Sequence, residues 1–169
     1  MHTVEKIGGT SMSRFDEVLN TIFIGNRDKS ELYQRVFVVS AYAGMTNMLL
    51  EHKKTGEPGV YERFADATNE DAWLDALDKV LEAMQAKNAE LFTGEYERQA
   101  ADRFIEGRIG DVRECMRSLQ HLCTYGHFQL TEHLMKVREM LASLGRGAQR
   151  LKYRAGTERS TASTPAWST

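Results

Sequence analysis

Lys6-Ile7-Gly8-Gly9-Thr10-Ser11 is the stretch of this chain best equipped for chemistry. Its glycines leave backbone N–H groups bare, a helix pattern behind them brings the positive end of a dipole, and two hydroxyls and an ammonium complete the set. Such donors suit an anion, phosphate above all. By itself a Gly-Gly-Thr-Ser run is an ordinary turn in most proteins. Lys6 and a second loop of similar make, Ser40-Ala41-Tyr42-Ala43-Gly44-Met45-Thr46-Asn47, favour the phosphate reading. Cys123 and His127 are spaced like two ligands on one helix, with Cys115, His121 and His133 nearby in sequence. On a single helix Cys115 and His127 would lie about 18 Å apart, and no second pair completes a tetrahedral site, so no metal is assigned to protein ligands. Asp71, Asp75, Asp78 and Glu82 read as the wet face of a helix.

The elements that must hold these loops are set by hydrophobic spacing. Val4 to Ile7 is a short strand candidate. Ser13, followed by Asp16 and Glu17, reads as an N-cap, and Phe15, Val18, Leu19, Ile22 and Phe23 recur at helical spacing, which predicts a helix from about Ser13 to Ile24. Val36-Phe37-Val38-Val39 is uninterrupted and β-branched, as expected of a central parallel strand covered on both faces. Strand, helix, strand makes a βαβ unit with a right-handed crossover, and both strands then end on one edge of the sheet, where open α/β sheets place ligands. The second loop runs into another helix pattern (Met48, Leu49, Leu50), closed by Gly56-Glu57-Pro58-Gly59.

From Val60 to Leu144 the pattern is helical throughout. One stripe comprises Ala72, Trp73, Leu77, Val80, Leu81, Met84 and Leu91; a second Ile105, Ile109, Val112, Met116, Leu119 and Cys123; a third Leu130, Leu134, Val137, Leu141 and Leu144, entered at Thr131. Gly107, Gly110 and Gly126 are the expected breaks or boundaries. These stripes read as core or partner-helix faces.

At 169 residues, 41% hydrophobic and 27% charged, the chain can form one domain with a real core. A net charge of -2 supplies no general attraction for nucleic acid or an anionic membrane, so a small substrate is expected. No apolar run reaches the roughly 20 residues that span a bilayer, and the first residues lack a basic flank with an apolar h-region, so the expected location is the cytoplasm. Cys115 and Cys123 would stand roughly 12 Å apart on one helix, too far for a disulfide, and read as reduced, mostly buried thiols.

The two loops resemble a known family. Lys6-Ile7-Gly8-Gly9-Thr10-Ser11 is similar to the opening Lys-x-Gly-Gly-Thr-Ser motif of aspartate kinases in the amino-acid kinase superfamily, and the stretch from Val38 to Asn47 resembles their second signature. Val137 to Gly145 looks like the helix leading into a Gly-Glu pair in that family. The segments Met1 to Lys6 and His52 to Tyr61, with the long helical middle, look most like the bacterial aspartate kinases that accompany ectoine synthesis. The resemblance covers residues 1–145 and implies an α/β, incomplete amino-acid kinase fold: an N-terminal parallel βαβ unit followed by a long helical segment.

It also implies a reaction, transfer of the ATP γ-phosphoryl group to the side-chain carboxylate of L-aspartate with Mg2+, giving 4-phospho-L-aspartate. That is the first step of lysine, threonine, methionine and ectoine biosynthesis. Lys6 would neutralise the β and γ phosphates as the catalytic cation, and Gly8, Gly9, Thr10 and Ser11 would offer donors to the transferring phosphoryl. Ser40 and Thr46 would hold the aspartate, with Ala43 and Gly44 letting it approach the backbone. Homo-oligomerisation is implied for the intact enzyme.

The chain departs from the family after Gly145, where the resemblance places a glutamate that binds the substrate ammonium and the sequence has Arg146. Residues 146–169 are aperiodic, basic and Ser/Thr-rich, the expectation for a disordered tail outside the family, produced by truncation or a frame-shift. The chain as written is therefore expected to be inactive. Sheet strands that the family adds later would be missing, leaving an open edge and an uncovered apolar face. Other readings are a different kinase of the same superfamily or a non-catalytic helical interaction protein.

Overall fold

A computed structural model describes residues 3–32, 34–66, 71–126 and 128–147. The front is a βαβ unit. Strand β1 (Thr3–Ile7) leads through helices α1 (Gly9–Met12) and α2 (Phe15–Val18), a π-helical turn over Leu19–Ile24 and a short helix α3 (Lys29–Leu32) to strand β2 (Arg35–Val39). The strands pair in parallel from Thr3 opposite Arg35 to Ile7 opposite Val39.

The crossover differs from the single helix expected over residues 13 to 24. Helix begins earlier, at Gly9, and breaks at Arg14, whose φ of -110° and ψ of 51° are not helical. Ser13 is not an N-cap: it closes α1, and its hydroxyl donates to the Gly9 carbonyl at 3.2 Å. The break lets Met12 and Phe15, on different helical segments, both be buried, at 1% and 2% exposure. Packing thus outweighs the gain from one continuous helix.

Arg35 joins this unit together. Its Nε donates to Glu5 Oε1 at 2.6 Å and a terminal nitrogen donates to Glu5 Oε2 at 2.5 Å, a two-pronged pair between the strands. Its other terminal nitrogen donates to the carbonyls of Ile22 and Phe23 at 2.8 and 3.1 Å. The guanidinium carbon lies 4.5 Å from the centre of the Phe37 ring, which in turn meets Phe23 edge-on at 4.4 Å. The Arg35 side chain is 5% exposed. Hydrogen bonding to that guanidinium holds the Glu5 carboxyl below its ordinary pKa, against a smaller opposing effect of desolvation.

Only one face of the sheet is covered among the described residues. Ile7, Phe37 and Val39 belong to the core with Phe15, Val18 and Phe23, whereas Val4, Val36 and Val38 are 71%, 50% and 51% exposed. The expectation of a strand buried on both faces is therefore corrected. A run of β-branched residues suits double cover, but no described element lies on the second face.

The remainder is helical: α4 (Met45–Leu49), α5 (Val60–Ala65), α6 (Ala72–Leu91), α7 (Glu95–Cys123) and α8 (Leu130–Gly147). Helices α6 and α7 pack antiparallel. Trp73 Nε1, near the start of α6, donates to Gln120 Oε1 at 3.1 Å near the end of α7, and buried Asn88 donates to Asp102 at 2.8 Å. The expected breaks at Gly107 and Gly110 do not occur, since both lie inside α7. The buried series Ile105, Ile109, Val112 and Met116 holds that helix to α6 through both glycines, outweighing a propensity cost of about 1 kcal/mol each. Gly126, with φ of 20°, does lie beyond the end of α7.

Both cysteines are free, but Cys115 is exposed and Cys123 intermediate, not mostly buried. Cys115 precedes buried Met116 and so projects about 100° from the seam. Helix α8 runs past the expected boundary through Gly147, while the rest of the expected tail, 148–169, and His127 lie outside the described residues. No helix among the described residues is long and apolar enough to cross a membrane.

Two outcomes are expected. Arg35→Gln should cost about 3 kcal/mol in urea unfolding, because it leaves Glu5 and two carbonyls without their partner. The folded-state pKa of Glu5 is lowered, so its contribution is present above the unfolded carboxylate pKa and lost as pH falls through the folded value; the gap between wild type and variant should hold at neutral pH and shrink in acid. Val36→Lys should raise the soluble fraction on concentration while changing stability by less than about 0.5 kcal/mol; a loss above about 2 kcal/mol would mean that this face is covered.

Candidate active site

Because β1 and β2 run parallel, the loops that come after them leave the same edge. The ladder continues one step, with Ser40 N–H donating to the Ile7 carbonyl at 3.0 Å, before the chains diverge. The two loops then dock. At Gly9 an added Cβ would lie 2.6 Å from the Ala41 carbonyl oxygen and 3.7 Å from Ala43 N, so only glycine permits this approach. Ser13 Oγ accepts from Ala43 N–H at 3.3 Å and so ties the first crossover segment to the second loop.

Lys6, Gly8, Thr10, Ala43, Gly44 and Thr46 are exposed, and Gly9, Ser11 and Ser40 are half-buried. Among the described residues, the Lys6 ammonium and the hydroxyls of Thr10, Ser11, Ser40 and Thr46 have no hydrogen-bond or ion-pair partner. The Gly-Gly-Thr-Ser segment is itself the first turn of α1, with Gly8 as N-cap at φ -76° and ψ 163°. The leading N–H groups of such a turn have no intrahelical acceptor. With α1 only four residues long, the strong helix dipole expected behind the glycines is replaced by these individual N–H groups and Lys6. Gly44 begins α4 at φ 90°, a conformation that disfavours any side chain.

Three features of the site were not read from sequence. Ser13 bridges the loops, a role hidden behind its apparent capping position. Tyr42 is buried, and loss of solvent, reinforced by the Asp16 carboxylate, pushes its phenol well above the ordinary value, so it stays neutral. Gly145 brings the end of α8 to the second loop: an added Cβ there would be 3.1 Å from Leu49 Cδ1 and 3.9 Å from Ala41 Cβ. Residue 146 therefore comes directly after a point of contact with the loop that starts at Ser40.

A set of cationic, hydroxyl and N–H donors around one edge can bind phosphoryl or carboxylate oxygens. The donors on the two loops are cationic, hydroxyl and N–H groups, a set that fits an anion.

Comparison with known proteins extends the likeness seen in the loops. The chain is 74% identical over 145 residues, 86% of its length, to the aspartate kinase Ask_Ect of Stutzerimonas stutzeri (strain A1501). It spans 30% of the length of that protein. No protein-family model and no solved structure matches the chain.

The docking of the loops makes a paired prediction. Gly9→Ala, which drives a methyl group into the Ala41 carbonyl, should cost roughly 1–3 kcal/mol, whereas Gly8→Ala, with nothing within 4 Å of its added Cβ, should stay within about 0.5 kcal/mol. Urea midpoints of the two variants check this.

Proposed function

We propose, for a chain that over most of its length belongs with the aspartate kinases, that it carries the phosphate-cradle and acceptor-loop part of an enzyme transferring the ATP γ-phosphoryl group to the L-aspartate side-chain carboxylate. The supporting observation is the docked pair of loops, held by the Gly9–Ala41 approach and the Ser13–Ala43 hydrogen bond, with uncommitted donors on both.

In this reaction a carboxylate oxygen attacks the γ-phosphorus as the bond to the bridging oxygen of ADP breaks. Catalysis is largely positioning and charge neutralisation. Lys6 neutralises phosphate oxygens, while the N–H groups of Gly8 and Gly9 and the hydroxyls of Thr10 and Ser11 direct donors at the transferring group. Ser40 and Thr46 hold the aspartate, and Ala43 and Gly44 keep side chains out of its way. Mg2+, when bound with the nucleotide, supplies further neutralisation.

The partial amino-acid kinase fold, the ectoine-associated subtype and the cytoplasmic setting of a biosynthetic enzyme belong to the same reading. The chain alone is proposed to be inactive. It reaches only 30% of the relative's length, and Arg146, where the resemblance places glutamate, would repel the substrate ammonium.

Aspartate-dependent ADP formation tests this. The 169-residue chain should show none above background; robust turnover abolished by Lys6→Ala would overturn the inactivity. Residues 1–145 fused to the remainder of the Stutzerimonas relative should turn over, with Lys6→Ala lowering kcat roughly 100-fold or more. Absence of aspartate-dependent turnover in a folded fusion would refute the assignment.

A further inference from the structure

We propose that Ser13 is a positioning residue: its hydroxyl sets the separation between the phosphate cradle and the acceptor loop, and so decides whether the γ-phosphoryl group passes to aspartate or to water. The inference rests on the kinase reading and adds to it a residue that touches neither substrate.

Ser13 lies where α1 ends, one residue before the break at Arg14. Its hydroxyl proton is given to the Gly9 carbonyl at 3.2 Å, and its oxygen accepts the Ala43 N–H at 3.3 Å. The same Gly9 carbonyl also accepts the Ser13 N–H at 3.1 Å. Each bond fixes a peptide plane. Because the Gly9–Thr10 peptide is trans and planar, holding its carbonyl also fixes the direction of the Thr10 N–H in the cradle. The bond to Ala43 does the same for the Tyr42–Ala43 peptide in the second loop. One hydroxyl thus links a plane of the cradle to a plane of the acceptor loop.

Three successive residues of the second loop meet the crossover. The Ala41 carbonyl lies against Gly9, Tyr42 is buried with the Asp16 carboxylate acting on its phenol, and Ala43 bonds to Ser13. The first contact is one of shape and the second one of burial. The third is directional, and it spans the two segments that carry the donors for each substrate. Removing it leaves the other two, so the loops stay docked while their separation is no longer fixed.

Transfer to aspartate demands that separation. The attacking carboxylate oxygen must come to about 3–3.5 Å from its target in near-attack alignment, and a misplacement of about 1 Å costs on the order of 100-fold. Water is not anchored by Ser40 and Thr46, so its approach does not depend on where the second loop holds them. Its attack on the γ-phosphorus gives ADP and inorganic phosphate, whereas attack by the carboxylate gives ADP and 4-phospho-L-aspartate. A slackened link between the loops therefore slows transfer and spares hydrolysis.

Two measurements test this. In the fusion of residues 1–145 to the remainder of the Stutzerimonas relative, total ADP is followed together with aspartyl phosphate trapped as its hydroxamate. Ser13→Ala should lower kcat for aspartyl transfer roughly tenfold or more, keep KM for ATP within about threefold, and lower the share of ADP matched by hydroxamate. Ser13→Thr, which keeps the hydroxyl, should restore both transfer and that share. A site that was merely destabilised would lose transfer and hydrolysis alike. In the 169-residue chain, Ser13→Ala should speed hydrogen exchange of the Ala43 amide roughly tenfold and leave α6 and α7 unchanged, a readout independent of turnover. An unsubstituted fusion that folds but shows no aspartate-dependent turnover refutes the kinase reading, and the role of Ser13 with it. With turnover present, an unchanged share in Ser13→Ala, or Ser13→Thr behaving as Ser13→Ala, overturns this proposal alone. Unchanged exchange at Ala43 overturns it as well.

Discussion

The geometry at the front of the molecule depends on one buried guanidinium. Arg35 takes both oxygens of Glu5, two carbonyls of the π-helical turn and the face of Phe37, and so connects β1, the crossover and β2 through a single side chain. Five donors in a rigid plane make this possible, and a lysine could not reproduce it. The wide π turn is part of the same device, since it presents the carbonyls of Ile22 and Phe23 to the same nitrogen. With the register held between Glu5 and Arg35, Ile7 falls opposite Val39 and the two loops start side by side.

Space imposes a second constraint. Gly9 approaches the Ala41 carbonyl too closely for any side chain, and Ser13 fastens the contact through Ala43. The donors left over are thereby gathered from two segments well separated along the chain. The helical part braces this arrangement: α4 and α5 pack against α6 and α8, and the end of α8 returns to Leu49 and Ala41. Gly44, Asn47 and Met48 also line a cavity with Arg63, Lys79, Glu57 and Asp75, so the same short helix borders both uncommitted hydroxyls and a set of mixed charges.

The bare sheet face is a further consequence of the same topology. Val4, Val36 and Val38 form an apolar surface on a two-stranded sheet, and the chain spans 30% of its relative's length. Among the described residues nothing covers these apolar side chains, which would suit the interior of a larger sheet. The core that does form is on the helical side, where Phe15, Phe23 and Phe37 meet and Trp73 packs edge-on against Phe64 at 5.5 Å.

Much of this was legible in residue order, because it depends on local pattern. The β-branched run at 36–39, the helical stripes after Val60 and the two small-residue loops each carry their signal within a few turns of chain. Parallel pairing then put both loops at one edge. Other features depended on contacts between distant segments. Ser13 looks like an N-cap until Ala43 is seen to donate to it, Gly107 and Gly110 look like breaks until α6 is seen to hold α7 together, and nothing local marks Arg35 as the partner of Glu5. Sequence alone determined where the two small-residue loops fall and most of the segments that are strand or helix. Tertiary structure decided which of their residues meet, where a helix breaks and which apolar face is left uncovered, because the energy of burial and of paired buried charge depends on neighbours that local pattern does not contain.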